Sequence, residues 1–493
     1  MKIRPGAALV HLMQSVVLAF IATSFSSGRC FAQDQVENNT LAALIKSNQF
    51  DAASEALKSG ANVNAQLPDG MTALHWALQR QQNELVGQLL QSGADPNLTN
   101  HYGVPPLWIT CCAGDVENTA ALLGSSGDPN AKLHGGETLL MTASRTGSPK
   151  IVELLLESGA EVNAVERNGQ TALMWAAAQG NTRTVEMLIA HGADPEIKLR
   201  SGFNAFFFAA RQGKIETVLR LINMGSDVDS EMKPSRKTSK SPAAGTTALI
   251  LAIENGHFKL ASELLSQGAN PNIVSAGYAP LHAITWVRKP IRGDGDPKPI
   301  GSGGTTSLDL VQRLIDHGAD VNIRHKKQSS RRSGLNRTDA TPLLLAAETG
   351  DLPLLKLLIK HGGDIHLANH DQASPLLAAC GIGILSNGDE SAGTEQDAID
   401  TVSYLFEHGA ELNGANKAGE TVMHGAAYKS WPLLISKLDH LGASPSIWNQ
   451  KNQKGWTPLM IAQGHRPGNF RPSEETVVAI EKILQRKSET KAP

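Results

Sequence analysis

Sixteen histidines, four cysteines and 47 carboxylates give this 493-residue chain ample material for metal or acid–base chemistry. Their spacing argues against both. Cys30, Cys111, Cys112 and Cys380 form no Cys-x-x-Cys pair, so neither a structural zinc site nor a disulfide framework is indicated. The three downstream cysteines are expected to be small buried hydrophobes. Gly293-Asp294-Gly295-Asp296 has the carboxylates of a calcium loop without its ligand spacing or distal glutamate. No Gly-x-Ser-x-Gly, His-Glu-x-x-His or phosphate-cradling loop occurs. The reading is therefore no catalytic residue, no cofactor and no metal.

The residues that remain suit binding. Lys233, Arg236, Lys237 and Lys240 form one basic cluster, and Arg324, Lys326, Lys327, Arg331, Arg332 and Arg337 a second. Asp389, Glu390, Glu395 and Asp397 form an acidic one. The formal net charge of −2 hides this local separation of sign, and gives no global case for nucleic acid or membrane binding. Trp76, Trp108 and Trp175 are candidate aromatic anchors, with core packing as the competing role.

A repeated word positions all of these. Gly60-Ala61-Asn62-Val63-Asn64 returns at Gly93, Ser126, Gly159, Gly192 and Gly225, every 33 residues. It recurs at Gly268, Gly318, Gly362, Gly409 and Gly442 at wider spacings that return to 33. A second word, Thr72-Ala73-Leu74-His75, keeps the same beat, as in Thr171-Ala172-Leu173-Met174 and Ala279-Pro280-Leu281-His282. Thr or Ser caps a helix and Pro is tolerated in its first turn. Leu173, Ala176 and Ala177, then Val185, Leu188 and Ile189, mark two helices, A and B, at helical spacing. Gly192 ends helix B, where a left-handed residue is needed.

These residues resemble the ankyrin repeat family over about 37–486. The resemblance implies an all-α solenoid of about twelve helix-pair units, with finger loops and a concave face formed by fingers and helices A. It also implies that His75, His282 and His424 bond across the finger-to-helix junction. His191, His317, His361 and His408 precede the terminating glycine, where a donor meets spare carbonyls. Polar Glu37–Thr40 and the charged helix near 474–486 read as caps.

Four inserts break the beat: enlarged fingers at about 229–245 and 323–340, and helix A–B connections at about 287–305 and 382–397. Inserts in repeat proteins map to loops, which often bind. The organisation expected is a cleaved signal peptide 1–32, regular repeats 33–228, insert-bearing repeats 229–413, final repeats and cap 414–486, and a flexible tail 487–493. Lys2 and Arg4, the apolar run Val16–Ile21 and the small residues before Gln33 carry the signal-peptide reading. Together these predict an exported, periplasmic or secreted, monomeric, non-enzymatic scaffold. It has no stable membrane insertion and no nucleic-acid partner. Its partner is a protein, and the basic fingers would favour an anionic one. The alternatives are an envelope-organising protein that binds anionic glycan, and an enzyme with its site in the inserted middle.

Overall fold

The computed structural model describes residues 40–235, 242–289, 304–326, 335–383, 393–465 and 471–489. Among these the chain forms twelve pairs of short helices, A then B, and one further turn of helix at Pro445–Trp448. Isolated bridges join Lys132 to Thr138 and Glu231 to Thr247.

The repeated words account for the local structure. Side chains of Thr171, Thr247, Thr341, Ser374 and Thr457 each accept from the backbone N–H three residues on and start a helix A. Pro106, Pro280, Pro342, Pro375 and Pro458 stand in first turns. Leu173, Ala176, Ala177, Val185 and Leu188 are buried, each large side chain contributing about 2 kcal/mol when fully withdrawn from water. Helix B of that repeat, Thr182–Ala190, stops at Gly192, whose φ of +89° only glycine adopts cheaply. Small residues set the spacing between neighbouring helices A. A Cβ at Gly425, in helix A Val422–Lys429, would stand 2.6 Å from the Cys380 carbonyl oxygen.

The described residues divide into two bodies, one up to Thr142 with Glu153–Ala160, the other Ala143–Val152 with everything from Glu161. In the first, helices A Leu41–Lys46, Ala73–Gln79 and Pro106–Ala113 pack in sequence. In the second, helices A pack in an unbroken series from Ala172–Gln179 to Pro458–Ala462, each on the next. Helix Glu474–Glu489 closes that series against Pro432–His440.

A side-chain ladder ties repeat to repeat. Asn97 donates through Nδ2 to Ser126 O at 2.9 Å and accepts from Asp128 N at 2.7 Å. Asn272 does the same with Gly318 O and Asp320 N, at 2.8 Å each. Fingers close on a backbone hydrogen bond, as from Leu67 N to Met71 O at 2.9 Å. In the enlarged fingers the closure is kept, from Met232 N to Thr246 O and from His325 N to Ala340 O, both at 2.9 Å.

Two local expectations change. Helix A runs to Arg288, so the insert expected at 287–305 leaves later. Glu395 and Asp397 belong to the first turn of helix Glu395–Glu407 rather than to a loop. Trp448 ends the extra helical turn and is buried.

Candidate partner-binding face

The helix-A histidines are joints. His75 Nδ1 accepts from Thr72 N at 3.2 Å, which leaves the proton on Nε2, 3.0 Å from Val104 O in the next finger. His282 bridges Ala279 N and Ala340 O at 3.1 and 3.0 Å, and His424 bridges Thr421 N and Trp456 O at 3.2 Å each. Burial lowers the pKa of all three, that of His282 to about 3, so each is neutral. At the ends of helices B, His191, His317 and His408 each place Nδ1 within 2.9 Å of a last-turn carbonyl, while His361 instead meets Gln312 Oε1 at 3.0 Å.

Within several repeats an aromatic stands at the histidine position or one residue after it, and some of these rings are covered by cations. In the first body Trp76 is 6% exposed, with Lys46 Nζ 5.0 Å and Arg80 Cζ 5.8 Å from its ring centroid. Trp108 occupies the histidine position itself and is half-buried. In the second body half-buried Trp175 lies 5.0 Å from the Arg145 guanidinium. Of the three consecutive phenylalanines, Phe206 and Phe207 are buried and Phe208 is half-buried, 5.1 Å from Phe203.

A denser cluster stands where the second enlarged finger begins. Trp286 is half-buried, edge-on to Tyr278 at 4.9 Å, and the Arg337 guanidinium lies 5.7 Å from its ring. The Tyr278 hydroxyl donates to Glu254 Oε1 at 2.7 Å, and desolvation raises the pKa of that carboxyl. His325 stacks on Tyr278 at 6.0 Å and meets His282 at 5.3 Å. Arg324 donates to Asp339 O and Ala368 O at 2.6 and 2.7 Å. Arg324 and Arg337 are therefore engaged within the protein, with Asp339 of the same finger, Ala368 of the next and Trp286 of helix A Pro280–Arg288. Lys233 and Lys326 are exposed. Arg236, Lys237, Lys240, Lys327, Arg331 and Arg332 lie outside the described residues, as do Gly293–Asp296, Asp389 and Glu390.

Near the ends of the two helix A–B inserts lies a cavity of about 390 Å³, with a floor of Phe258, Val287, Leu352 and Pro353. Its charged walls are internally paired. Arg288 grips Asp351 bidentately at 2.7 and 2.9 Å and also donates to Ser307. Lys289 reaches Gly350 O at 2.9 Å and Asp397 at 3.3 Å. Asp351 is almost fully buried, its side chain 1% exposed. Two of the acidic residues read as a binding loop are likewise structural. Glu395 accepts from Leu433 N and Leu434 N at 2.7 and 3.0 Å, and Asp397 accepts from Thr394 N at 2.9 Å.

Comparison with known proteins agrees with this geometry. A model of ankyrin repeats in three copies matches residues 14–100, 79–166, 107–199, 140–232 and 206–286, and a single ankyrin repeat model matches 338–370. The chain belongs to the ankyrin repeat family. It is also similar to an ankyrin repeat protein of fowlpox virus, strain NVSL, 31% identical over 108 residues. The match takes in 22% of this chain and about a quarter of the viral protein's length, 25%. Among the described residues no group of three or more His, Cys, Asp and Glu side chains could hold a metal ion. No described helix is long and apolar enough to cross a membrane.

Sequence reasoning found Trp76, Trp108 and Trp175 but passed over Tyr278 and Trp286. Trp286 lies seven residues after Ala279, two helical turns along helix A, and that spacing was a usable signal. The Arg288–Asp351 pair left none, because its partners are 63 residues apart.

Proposed function

We propose that this ankyrin repeat chain is an exported, non-enzymatic scaffold that holds a protein partner against its helix-A and finger side. Family membership supports a binding role in general. One observation carries the placement of the site: half-buried aromatics covered by cations, Trp175 with Arg145 and Trp286 with Arg337, recur on helices A of the second body. Aromatic and arginine side chains are the groups that dominate binding energy at protein interfaces. The basic fingers add steering toward an anionic partner, with Lys233 and Lys326 exposed for it.

Capture from the native compartment tests this reading. Trp175→Ala with Trp286→Ala is expected to abolish co-purification of a specific protein, while Lys233→Gln with Lys326→Gln is expected to slow association and reduce its salt dependence. Partner capture unchanged by the tryptophan pair would remove the site. Retention on cell-wall polysaccharide with no protein companion would favour the glycan-binding reading. Export predicts a mature N-terminus at Gln33, readable by N-terminal sequencing.

A further inference from the structure

Buried hydrogen-bond donors in folded proteins are nearly always paired. The indole N–H groups of Trp76, Trp108 and Trp175 are buried and have no acceptor. Trp448 shows the ordinary outcome, donating to Ala443 O at 3.3 Å. For Trp108 the histidine position explains the orphan. The histidine ring presents Nε2 to the next finger's carbonyl, and the longer, differently angled indole has its N–H elsewhere.

Trp76 and Trp175 share a different arrangement. Each stands one residue after the histidine position, and they are 99 residues apart, three regular repeats. Each ring is covered by a cation from the preceding helix A, Lys46 in one body and Arg145 in the other, and Trp76 also by Arg80. Lys46 has a side-chain exposure of 48%, and exposed Arg80 is held by one surface hydrogen bond, from Nη2 to Lys46 O at 2.9 Å, so both can move without unpacking the core. Against these two cations stands one carboxylate, Asp69, 3.7 Å from Lys46.

We propose that the Trp76 indole, covered by Lys46 and Arg80, is a docking point for an extended acidic segment of a partner polypeptide. A backbone carbonyl of the segment accepts from Nε1 as the long cationic side chain swings off the ring. That cation then pairs with a neighbouring carboxylate of the segment. An extended chain offers both acceptors within a few ångströms, and the excess of cations over Asp69 sets the sign. This rests on the protein-binding reading above and names the partner's chemistry.

The test uses the intact chain and a fluorescein-labelled dodecapeptide rich in Asp and Glu, with its Asn/Gln counterpart and heparin as controls, followed by anisotropy. The acidic peptide is expected to bind at least about tenfold more tightly than the amide peptide. Trp76→Phe keeps the ring and removes the N–H donor, and is expected to weaken binding about three- to tenfold. The surface pair Lys46→Gln and Arg80→Gln gives a second variant that leaves the core intact, with an expected loss of about three- to tenfold. Equal affinity for the two peptides, or unchanged affinity in both variants, would overturn the proposal. So would heparin binding that suffers the same losses while the acidic peptide fails to bind. If the native partner is still captured through Trp175 and Trp286 while the acidic peptide does not bind, the scaffold reading stands and this inference alone falls.

Discussion

Asn97 and Asn272 make the same two hydrogen bonds to the next repeat, yet their partners lie 29 and 31 residues ahead in one case and 46 and 48 in the other. The regular repeats and the insert-bearing repeats are therefore joined alike. The extra residues of the enlarged fingers enter beyond the closure bonds at Met232 and His325, so they do not disturb the stacking. What differs is the opposite edge. In regular repeats single hydrogen bonds to a backbone carbonyl hold the A–B turn, as where Asn181 donates to Ser144 O at 2.7 Å, His257 Nε2 meets Arg211 O at 2.9 Å, or Arg80 donates to Lys46 O at 2.9 Å. Where an insert replaces that turn after Lys289, charged side chains span the gap to later repeats. The lesson is that a solenoid tolerates a long insert when the residues at its base are re-tied to a neighbour.

The sharpest way to break this comparison is to untie one clamp. Arg288→Ala would leave Asp351 buried and uncompensated, at a cost of about 3–5 kcal/mol. Arg220→Ala, which removes a half-exposed pair with Glu186 in a regular repeat, should cost no more than about 1 kcal/mol. Urea unfolding followed by helical circular dichroism compares them, and equal losses would refute the clamp.

A smaller effect is expected at the histidine joint. His282→Leu strands Ala279 N and Ala340 O and should cost about 2–3 kcal/mol. The pH dependence has a definite sign. Burial depresses the folded pKa of His282 from 6.5 to about 3, so its contribution is complete above 6.5 and is lost as pH falls toward 3. The wild-type urea midpoint should therefore fall more between pH 7 and pH 5 than that of His282→Leu. A parallel fall in both would assign the acid sensitivity elsewhere.

The smallest effect sharpens the likeness rather than the difference. Asn97→Ala and Asn272→Ala should each cost about 1 kcal/mol, and the two values should agree closely. A much larger loss at Asn272 would mean that the insert-bearing junctions depend on the ladder more heavily than the regular ones.

Much of the fold was legible because repetition restates each local rule. Thr171 as a cap and Gly192 as a left-handed stop were readable from their places in the two words, and the family resemblance implied His282 as a bridge. The candidate site was legible only in part. Trp175 was found, but Arg324 and Arg337 looked like free finger charges and instead bind back to Asp339, Ala368 and Trp286. Glu395 looked like part of an acidic loop and instead receives the N-terminus of the next helix B through Leu433 and Leu434. Nothing in the spacing of charged residues reports which backbone will stand beside them.

By itself, then, the sequence determined the helix pairs, their caps and stops, the order of repeats and the places where inserts enter. These follow from short-range backbone preferences and apolar periodicity, both written within one repeat length. Tertiary structure alone decided which charges are spent inside the protein, which indole donors go unpaired, and that Arg288 meets Asp351. Those outcomes depend on groups that the chain separates by tens of residues and that stacking brings within hydrogen-bond reach.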